Sequence, residues 1–437
     1  MTPHKKNYFR QIPRSLWFTL YDGLLPIAEL ILRVLSIRNK KLRDAIKGRS
    51  KSLDNWQLDP LDDRRGILIH AASYGELEGV KPLINQLAKR GFRVAVSHSS
   101  PSAIKGLEGI EGLWGYGYSP MDYLHQHLNL LAHLDINALV ITKHDYWPNM
   151  LRAACALGIP IFLINGNFHR KSLRGLPIIR SFSRQYMRFF DVVWTVSEED
   201  SDRADKFLPS SVKLENLGDT RYDRVRERAE IGKIRFADLK RAMGDSRILI
   251  GGSTWDLCEK MIYPTFKRLR DLDDELKLVM VPHEPHPETI QRNINFAKSL
   301  DLSAKLFSNW QGETITENVL LVDKVGILAD LYSVGWAAYV GGGFGRGVHS
   351  VIEPAAHSLP VAFAKNWYVS YEAGLLIEAK GGFVVNTEDE LYSLWSKMIK
   401  DDTFYTQSSS TADGVVRANE GTTTKIVEKL LAYLDPQ

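Results

Sequence analysis

WAAYVGGGFGRGVHSVIEPAA, from Trp336 to Ala356, is the stretch that decides the fold. A short apolar run, WAAYV, has the composition of a buried strand. Five glycines follow within seven residues, Gly341 to Gly347, and then a run with helical spacing carries Glu353 in its first turn. Strand, glycine-rich turn and helix in that order predict one β–α step of an open parallel sheet. Glycines let backbone N–H groups approach an anion closely, and a following helix adds its positive N-terminal end. Tight strand-to-helix packing accounts for the same glycines equally well. Ser350 is a donor for a phosphate oxygen and Glu353 an acceptor for a ribose diol, a pairing that suits a nucleotide better than free phosphate.

Outward from this stretch the same rhythm recurs in both directions. SRILIGGS, LKLVMVPHE and NVLLVDK precede it, and LPVAFA and GGFVVN follow, each separated by helical spacing. An earlier series runs GILIHAA, RVAVSHS, ALVITKH, IPIFLIN and DVVWTVS. Between the two series lies YDRVRERAEIGKIRFADLKRAM, a charged helical stretch that reads as an interdomain linker with a solvated face. The alternation predicts an α/β protein with two successive parallel-sheet domains. We place them at residues 49–227 and 228–437, with residues 1–48 as a separate N-terminal segment. The last helical run, TTTKIVEKLLAYL, can pack on either domain.

A chain of 437 residues is too long for one ordinary core, which agrees with two domains. The net charge of +4 is small for that length and implies no nucleic-acid-binding surface. The two cysteines, Cys155 and Cys258, lack metal-ligand spacing and read as structural thiols in a reducing compartment. No small-residue cleavage site follows the first apolar run, so a secretory signal is not expected. That run, Ser15 to Ile37, is long enough to span a bilayer but contains Asp22, Pro26, Glu29 and Arg33. Charges inside a bilayer cost a few kcal/mol each. With His4–Lys6, Arg10 and Arg14 on one side and RNKKLR on the other, the run suits an interfacial helix held by anionic lipid. The alternative is a helix packed on the protein's own surface.

Ligands in open parallel sheets sit beyond the carboxyl ends of strands. In the first domain these ends give Ser73 to Glu76, His98 to Ser102, Lys143 to Trp147 and Asn165 to Arg170; in the second, Gly251 to Asp256, Pro282 to His286 and Gly341 to Ser350. In HAASYGELEG, Glu76 follows a strand directly and is either a general base or a carboxylate that favours the helix dipole. In IGGSTWD, Ser253 and Thr254 are either a second anion site or helix caps. Lys143 in ITKHDYWPNM and Arg221 in GDTRYDRV are cations near strand ends, with Asp145, Asp219 and Asp223 available to orient them. Each also fits a surface ion pair.

Taken in order, HAASYGE, SPSA, SPMD, WPNM, GDTRYDRV, GGST, VPHEPHPE and YVGGGFGRGVHSVIEPAAHSLPVAF resemble the Kdo transferase family. Its members add 3-deoxy-D-manno-octulosonic acid (Kdo) to lipid A precursors. GGGFGRGVHS…IEPA and GDTRYDRV look most like the Bacteroidetes-type branch. The resemblance implies a GT-B glycosyltransferase fold of two facing Rossmann-like domains, with an N-terminal membrane-surface helix. It implies a CMP-Kdo donor on the second domain, a lipid A precursor (lipid IVA) as acceptor on the first, and the cytoplasmic face of the inner membrane as location. Transfer would invert the anomeric centre, with no cofactor and no metal. By motif match Glu76 falls at the general-base position and Arg221 where the family has a transition-state lysine. Ser350, Val351, Ile352 and Glu353 match a nucleotide-binding NPLE. Val325, Gly326 and Ile327, within KVGIL, match a TMGEL element at the cytidine site, and Pro282 with His283 match a PR pair. Ser253 and Thr254 stand in a GGST element, and Gly343 and Gly345 in the glycine-rich turn.

The chain departs from the family pattern at several places. Lys143 stands where the family has a catalytic glutamate, and pairs instead with the sugar carboxylate in this reading. GGSTWDLCE lacks a histidine and an acid of the family's ASTHEGEE, the arginine of PRHPER is missing, and Ser350 replaces an asparagine. Two further functions fit parts of the pattern: a GT-B enzyme such as a UDP-N-acetylglucosamine 2-epimerase, and an inactive membrane-associated homologue.

Overall fold

The structure is a computed structural model and describes residues 12–51, 53–107, 110–168, 177–345 and 347–435. The basic flank at His4–Lys6 and Arg10, the stretch through Arg170, and Arg346 of the glycine-rich turn lie outside the described residues. The chain divides into two units, Met1–Arg224 with Gly421–Gln437, and Val225–Glu420.

The first unit is built on eight strands: β1 (Gln57–Leu58), β2 (Gly66–His70), β3 (Arg93–His98), β4 (Leu113–Tyr118), β5 (Ile136–Thr142), β6 (Ile161–Gly166), β7 (Val192–Thr195) and β8 (Lys213–Asn216). Their order is β1-β4-β3-β2-β5-β6-β7-β8, parallel throughout except for β1 against β4. The apolar runs are strands buried on both faces. Ile67 and Ile69 of β2 enter one apolar cluster and Leu68 enters the other. The strand order reverses between β2 and β5, so the ligand crevice of this unit is expected beyond His70 and Thr142.

The N-terminal run forms a helix, Leu16–Ser36, capped by Ser15. It belongs to the first unit, and residues 1–48 do not stand apart as expected. Phe18 is buried and stacks on Phe189 at 5.9 Å, a burial worth about 2 kcal/mol. Two of the charges that argued against a span are what dock this helix. Asp22 pairs with Arg152 at 2.8 Å and accepts from Asn149, while Glu29 accepts from the Tyr123 hydroxyl at 2.6 Å. The opposite face exposes Leu20, Leu24, Ile27, Leu30, Ile31 and Val34. Among the described residues no helix is long and apolar enough to cross a membrane.

The last helix, Thr422–Leu434, also belongs to the first unit, which corrects the expected second domain of 228–437. The reason is apolar: Ile426, Val427 and Leu430 are fully buried with Ile67, Ile69 and Leu83. Its start is held by Asp223, whose carboxylate accepts from the Gly421 and Thr423 N–H groups at 2.6 Å each.

The second unit carries β9 (Ile248–Thr254), β10 (Lys277–Pro282), β11 (Ala304–Leu306), β12 (Val319–Leu321), β13 (Ala337–Val340), β14 (Val361–Phe363) and β15 (Gly382–Val384). All pair in parallel, in the order β11-β12-β10-β9-β13-β14-β15, and the order reverses between β9 and β13. The division between units falls at Arg224/Val225, inside the helix Arg221–Arg235, three residues before the expected boundary. The stretch read as a solvated linker is pinned by its charges. In the first unit Arg224 pairs with Glu78 at 3.0 Å; in the second, Arg226 pairs with Asp413 and Glu420 at 2.6 Å each. Arg228 and Arg235 both engage Asp330, at 2.8 and 2.7 Å.

Candidate functional site

In the first unit the expected residues converge beyond β2 and β5, at the reversal of strand order. Glu76 sits in the first turn of the helix Tyr74–Lys89 and accepts the Ala72 N–H at 2.8 Å. Ser73, at the N-cap, makes no side-chain capping bond, so Glu76 serves as the side-chain acceptor for this turn. Burial pushes the Glu76 carboxyl above its ordinary range, against the opposing pull of the Ala72 N–H, Lys143 and His70. A half-buried carboxylate with a raised pKa, beside a strand end, is suited to accepting a proton.

His70, the last residue of β2, was not singled out from sequence. It is fully buried, with Nδ1 at 2.8 Å from the Ser97 hydroxyl and Nε2 at 3.0 Å from Asp145. Ser99 donates to the same Asp145 oxygen at 2.6 Å. Burial alone would raise the Asp145 carboxyl, but His70 and Ser99 bring it down to about 2. Asp145 therefore serves His70 and Ser99. Asp219 is the residue that orients Arg221, accepting from its backbone N–H at 2.9 Å and from Nε at 2.8 Å. Burial opposes the Asp219 charge, while Arg221 and Lys143 stabilise it and keep its pKa below the ordinary value. The stem of Arg221 lies across Gly79 of the Glu76 helix, where an added Cβ would stand 2.9 Å from Arg221 Cγ. Asp223, the third acid considered, caps the last helix instead.

Lys143 and Asn165, at the ends of β5 and β6, adopt the left-handed conformation with φ of 61° and 53°. In a residue with a Cβ this costs about 1–3 kcal/mol and persists where surrounding bonds fix it. Asn165 is fixed by Thr142 and Thr220, donating to their hydroxyls at 3.2 and 2.9 Å. Glu76, Lys143, Asp219 and Arg221 thus form one chain of alternating charge at the carboxyl ends of the strands.

In the second unit Ser253 is likewise left-handed, with φ of 51°, and ends β9 beside the glycine-rich turn. Gly341 passes so close that any Cβ there would strike the Ser253 carbonyl oxygen. Neither Ser253 nor Thr254 caps the helix Asp256–Leu269; its N-cap is Trp255, with no side-chain capping bond. Thr254 is buried, and its hydroxyl donates to Glu259 at 3.3 Å. Pro282 ends β10 and is buried, and the His283 N–H donates to the Thr254 carbonyl at 2.9 Å. Gly343 and Gly345 accept from Asn366 through their carbonyls, at 3.0 and 2.8 Å.

The glycine-rich turn does not run straight into a helix as its spacing suggested. The helix that carries Glu353 is short, Ile352–Ala356, and Ser350 before it is exposed. Val351 and Ile352 are buried, so only their backbone is available. Val325 is exposed, Gly326 takes a positive φ of 82°, and Ile327 is buried. The Tyr332 hydroxyl and Leu328 abut Gly252 of β9, and burial together with the Glu353 charge raises the Tyr332 hydroxyl pKa. Two residues inside the expected strand-end ranges had been given no role: His349 stacks on His283 at a ring separation of 4.3 Å, and Trp255 lies tilted against His283 at 4.8 Å. Their signal was an aromatic residue directly after a strand and a histidine inside the quoted stretch. Among the described residues no group of three or more His, Cys, Asp or Glu side chains is placed to hold a metal ion.

A family model described as 3-Deoxy-D-manno-octulosonic-acid transferase (kdotransferase) matches residues 41–224. A 3-deoxy-D-manno-octulosonic acid transferase from Haemophilus influenzae is 22% identical over 439 residues, covering 96% of this chain and 99% of its own. A bifunctional glycosyltransferase/methyltransferase from Fusobacterium nucleatum is 25% identical over 362 residues, 80% of this chain; the chain spans just over half, 55%, of that curated relative. Among solved structures, the UDP-GlcNAc 2-epimerase from Neisseria meningitidis matches with a TM-score of 0.63 and 16% identity, covering 84% of this chain and 99% of that one. That likeness concerns the fold, which is of the GT-B class. With the motifs in order and the family model over residues 41–224, the chain is similar to the 3-deoxy-D-manno-octulosonic-acid transferase (Kdo transferase) family.

Proposed function

We propose that the protein is an inverting glycosyltransferase that moves Kdo from CMP-Kdo to a lipid A precursor (lipid IVA), without a metal. The observation that carries this reading is Glu76, a carboxylate raised by burial and set beside Lys143 beyond β2 and β5. In the proposed reaction the bond from the anomeric carbon to the cytidylate oxygen breaks, leaving CMP. The acceptor hydroxyl attacks the opposite face, and its proton passes to the Glu76 carboxylate. Lys143 would pair with the sugar carboxylate, and Arg221, fixed by Asp219, would stabilise charge that develops as the phosphate departs. Donor binding is assigned to the second unit. Backbone groups around Ser253 and the glycine-rich turn, with Ser350, would take the phosphate; Val325–Ile327 and Glu353 would take the nucleoside, and Pro282 with His283 would complete the donor site.

The exposed apolar face of Leu16–Ser36 supports placing the protein on the inner-membrane surface, on the cytoplasmic side where the nucleotide donor is found. Incubation with freshly generated CMP-Kdo and a tetra-acylated lipid A precursor, followed by mass spectrometry of the lipid, tests the whole reading. Gain of one or more Kdo masses is expected. Unchanged lipid, with calorimetry showing tight UDP binding and no response to CMP, would replace it with the epimerase-like alternative.

A further inference from the structure

Trp255, His283 and His349 come from three chain segments, after β9, after β10 and after the glycine-rich turn, and meet where the strand order reverses. The His283 and His349 rings are nearly parallel, 13° apart, and the Trp255 indole N–H donates to His349 Nε2 at 3.2 Å. The stack overlies the turn itself: a Cβ on Gly342 would stand 2.9 Å from the His349 ring, and the His349 N–H bonds the Gly341 carbonyl. Trp255 and His283 are exposed, so a ligand in the crevice can reach the stack.

We propose that His283 and His349, braced by Trp255, are an anion-binding pair that takes up a proton together with the ligand phosphate or carboxylate. This rests on the donor reading above and deepens it: cytidylate binding would be coupled to pH. The bond from Trp255 identifies Nε2 of His349 as the unprotonated nitrogen, so the neutral ring carries its proton on Nδ1. Burial and the adjacent His283 hold His349 at about 4, neutral near pH 7. An anion in the crevice reverses the balance. A proton added at Nε2 gives the ligand an ionised donor, and the indole N–H, released from Nε2, becomes another.

The charged groups around the stack are largely committed elsewhere. Asp256 pairs with Lys260 at 2.8 Å and Arg292 at 3.5 Å, and Glu284 lies 3.7 Å from His286. Glu259 is bonded by Arg292 at 2.6 Å, and Lys365 precedes the Asn366 that ties the turn. The sign follows from linkage: bound ligand raises the His349 pKa, so affinity grows as pH falls from the bound value toward the free one. One proton taken up gives at most about a tenfold tightening per pH unit.

The test uses the full chain, with CMP as probe, by calorimetry from pH 7.5 to 5.5 in buffers of different ionisation enthalpy, and histidine side-chain NMR in parallel. The wild type should take up a proton on binding, with the His349 resonance titrating at higher pH once CMP is present. His349→Asn should lose that uptake, leaving only the titration of the CMP phosphate, common to both proteins. His283→Arg should bind CMP with weaker pH dependence, and Trp255→Phe should raise the His349 pKa of the free protein. CMP binding with equal proton uptake in wild type and His349→Asn overturns the inference and leaves the donor reading standing. If CMP does not bind, inorganic phosphate is titrated instead. A shifted His349 resonance then supports the anion pair while removing the nucleotide donor, and an unmoved one removes both.

Discussion

Glu76 and Asp145 stand on neighbouring strand ends and burial raises both carboxyls, yet their partners leave them shifted in opposite directions. Glu76 has one backbone donor at 2.8 Å and a raised pKa, whereas Asp145 has His70 and Ser99 and falls to about 2. As a general base Glu76 works only when ionised, so transfer should fade as pH falls through a value above the ordinary carboxylate. Glu76→Gln should remove that acid limb and lower kcat by about 10²–10⁴-fold with CMP affinity unchanged; near wild-type rates would sink the assignment. The Asp145 carboxyl has the opposite sign. Its depressed pKa contributes stability that is full above the unfolded value near 4 and lost as pH falls through about 2, a contribution of about 2 kcal/mol. Urea unfolding of wild type and Asp145→Asn should therefore differ at pH 5 and converge toward pH 2; a gap that persists at pH 2 would point to packing. Glu76 and Lys143 were legible because each follows an apolar strand run, and Arg221 because it stands in the GDTRYDRV motif. His70 was not, because inside a strand run a buried histidine reads as core until its partner on β5 is known. Nor did the sequence disclose that Asp223 caps a helix whose bonded N–H groups lie 198 and 200 residues further along the chain.

The helix Leu16–Ser36 is docked by one face and exposed on the other. Phe18, Asp22 and Glu29 dock it, and the leucine and isoleucine side chains turned away are left exposed. Leu24→Glu with Leu30→Glu should abolish cosedimentation with anionic liposomes while the thermal unfolding midpoint moves by only a degree or two, since both positions are exposed. Retained liposome binding would show that this face is not what meets lipid. Both readings of this segment were visible in its composition; the structure docks one face on the first unit and leaves the apolar face exposed, on which the lipid proposal rests. The long apolar strands were equally legible, as β2, β5, β6, β9 and β10 show. β4 was missed because LWGYGY carries two glycines, which argue against a strand from propensity alone. Those glycines leave room for Trp56 and Leu58, a long-range fit that no local pattern reports.

At the level of the whole chain, the first unit closes only when Thr422–Leu434 returns to it, and Asp223 holds the junction. Two charge-assisted bonds at 2.6 Å make Asp223→Ala a stability variant, expected to cost about 1–3 kcal/mol in the unfolding of the first unit. Unfolding by urea, followed through Trp194 of β7 and a tryptophan of the second unit, should show the loss in the first signal alone; an equal shift in both would contradict separate units.

The same return path governs how the molecule is made. Synthesis proceeds from the amino terminus, so the inserted unit, Val225–Glu420, has all its strands before the ribosome reaches the helix that shields Ile67 and Ile69. Until that late arrival the nascent first sheet carries an open apolar wall, a natural target for chaperones. A premature stop just ahead of Gly421 would spare every strand of both sheets and still leave a protein that clumps.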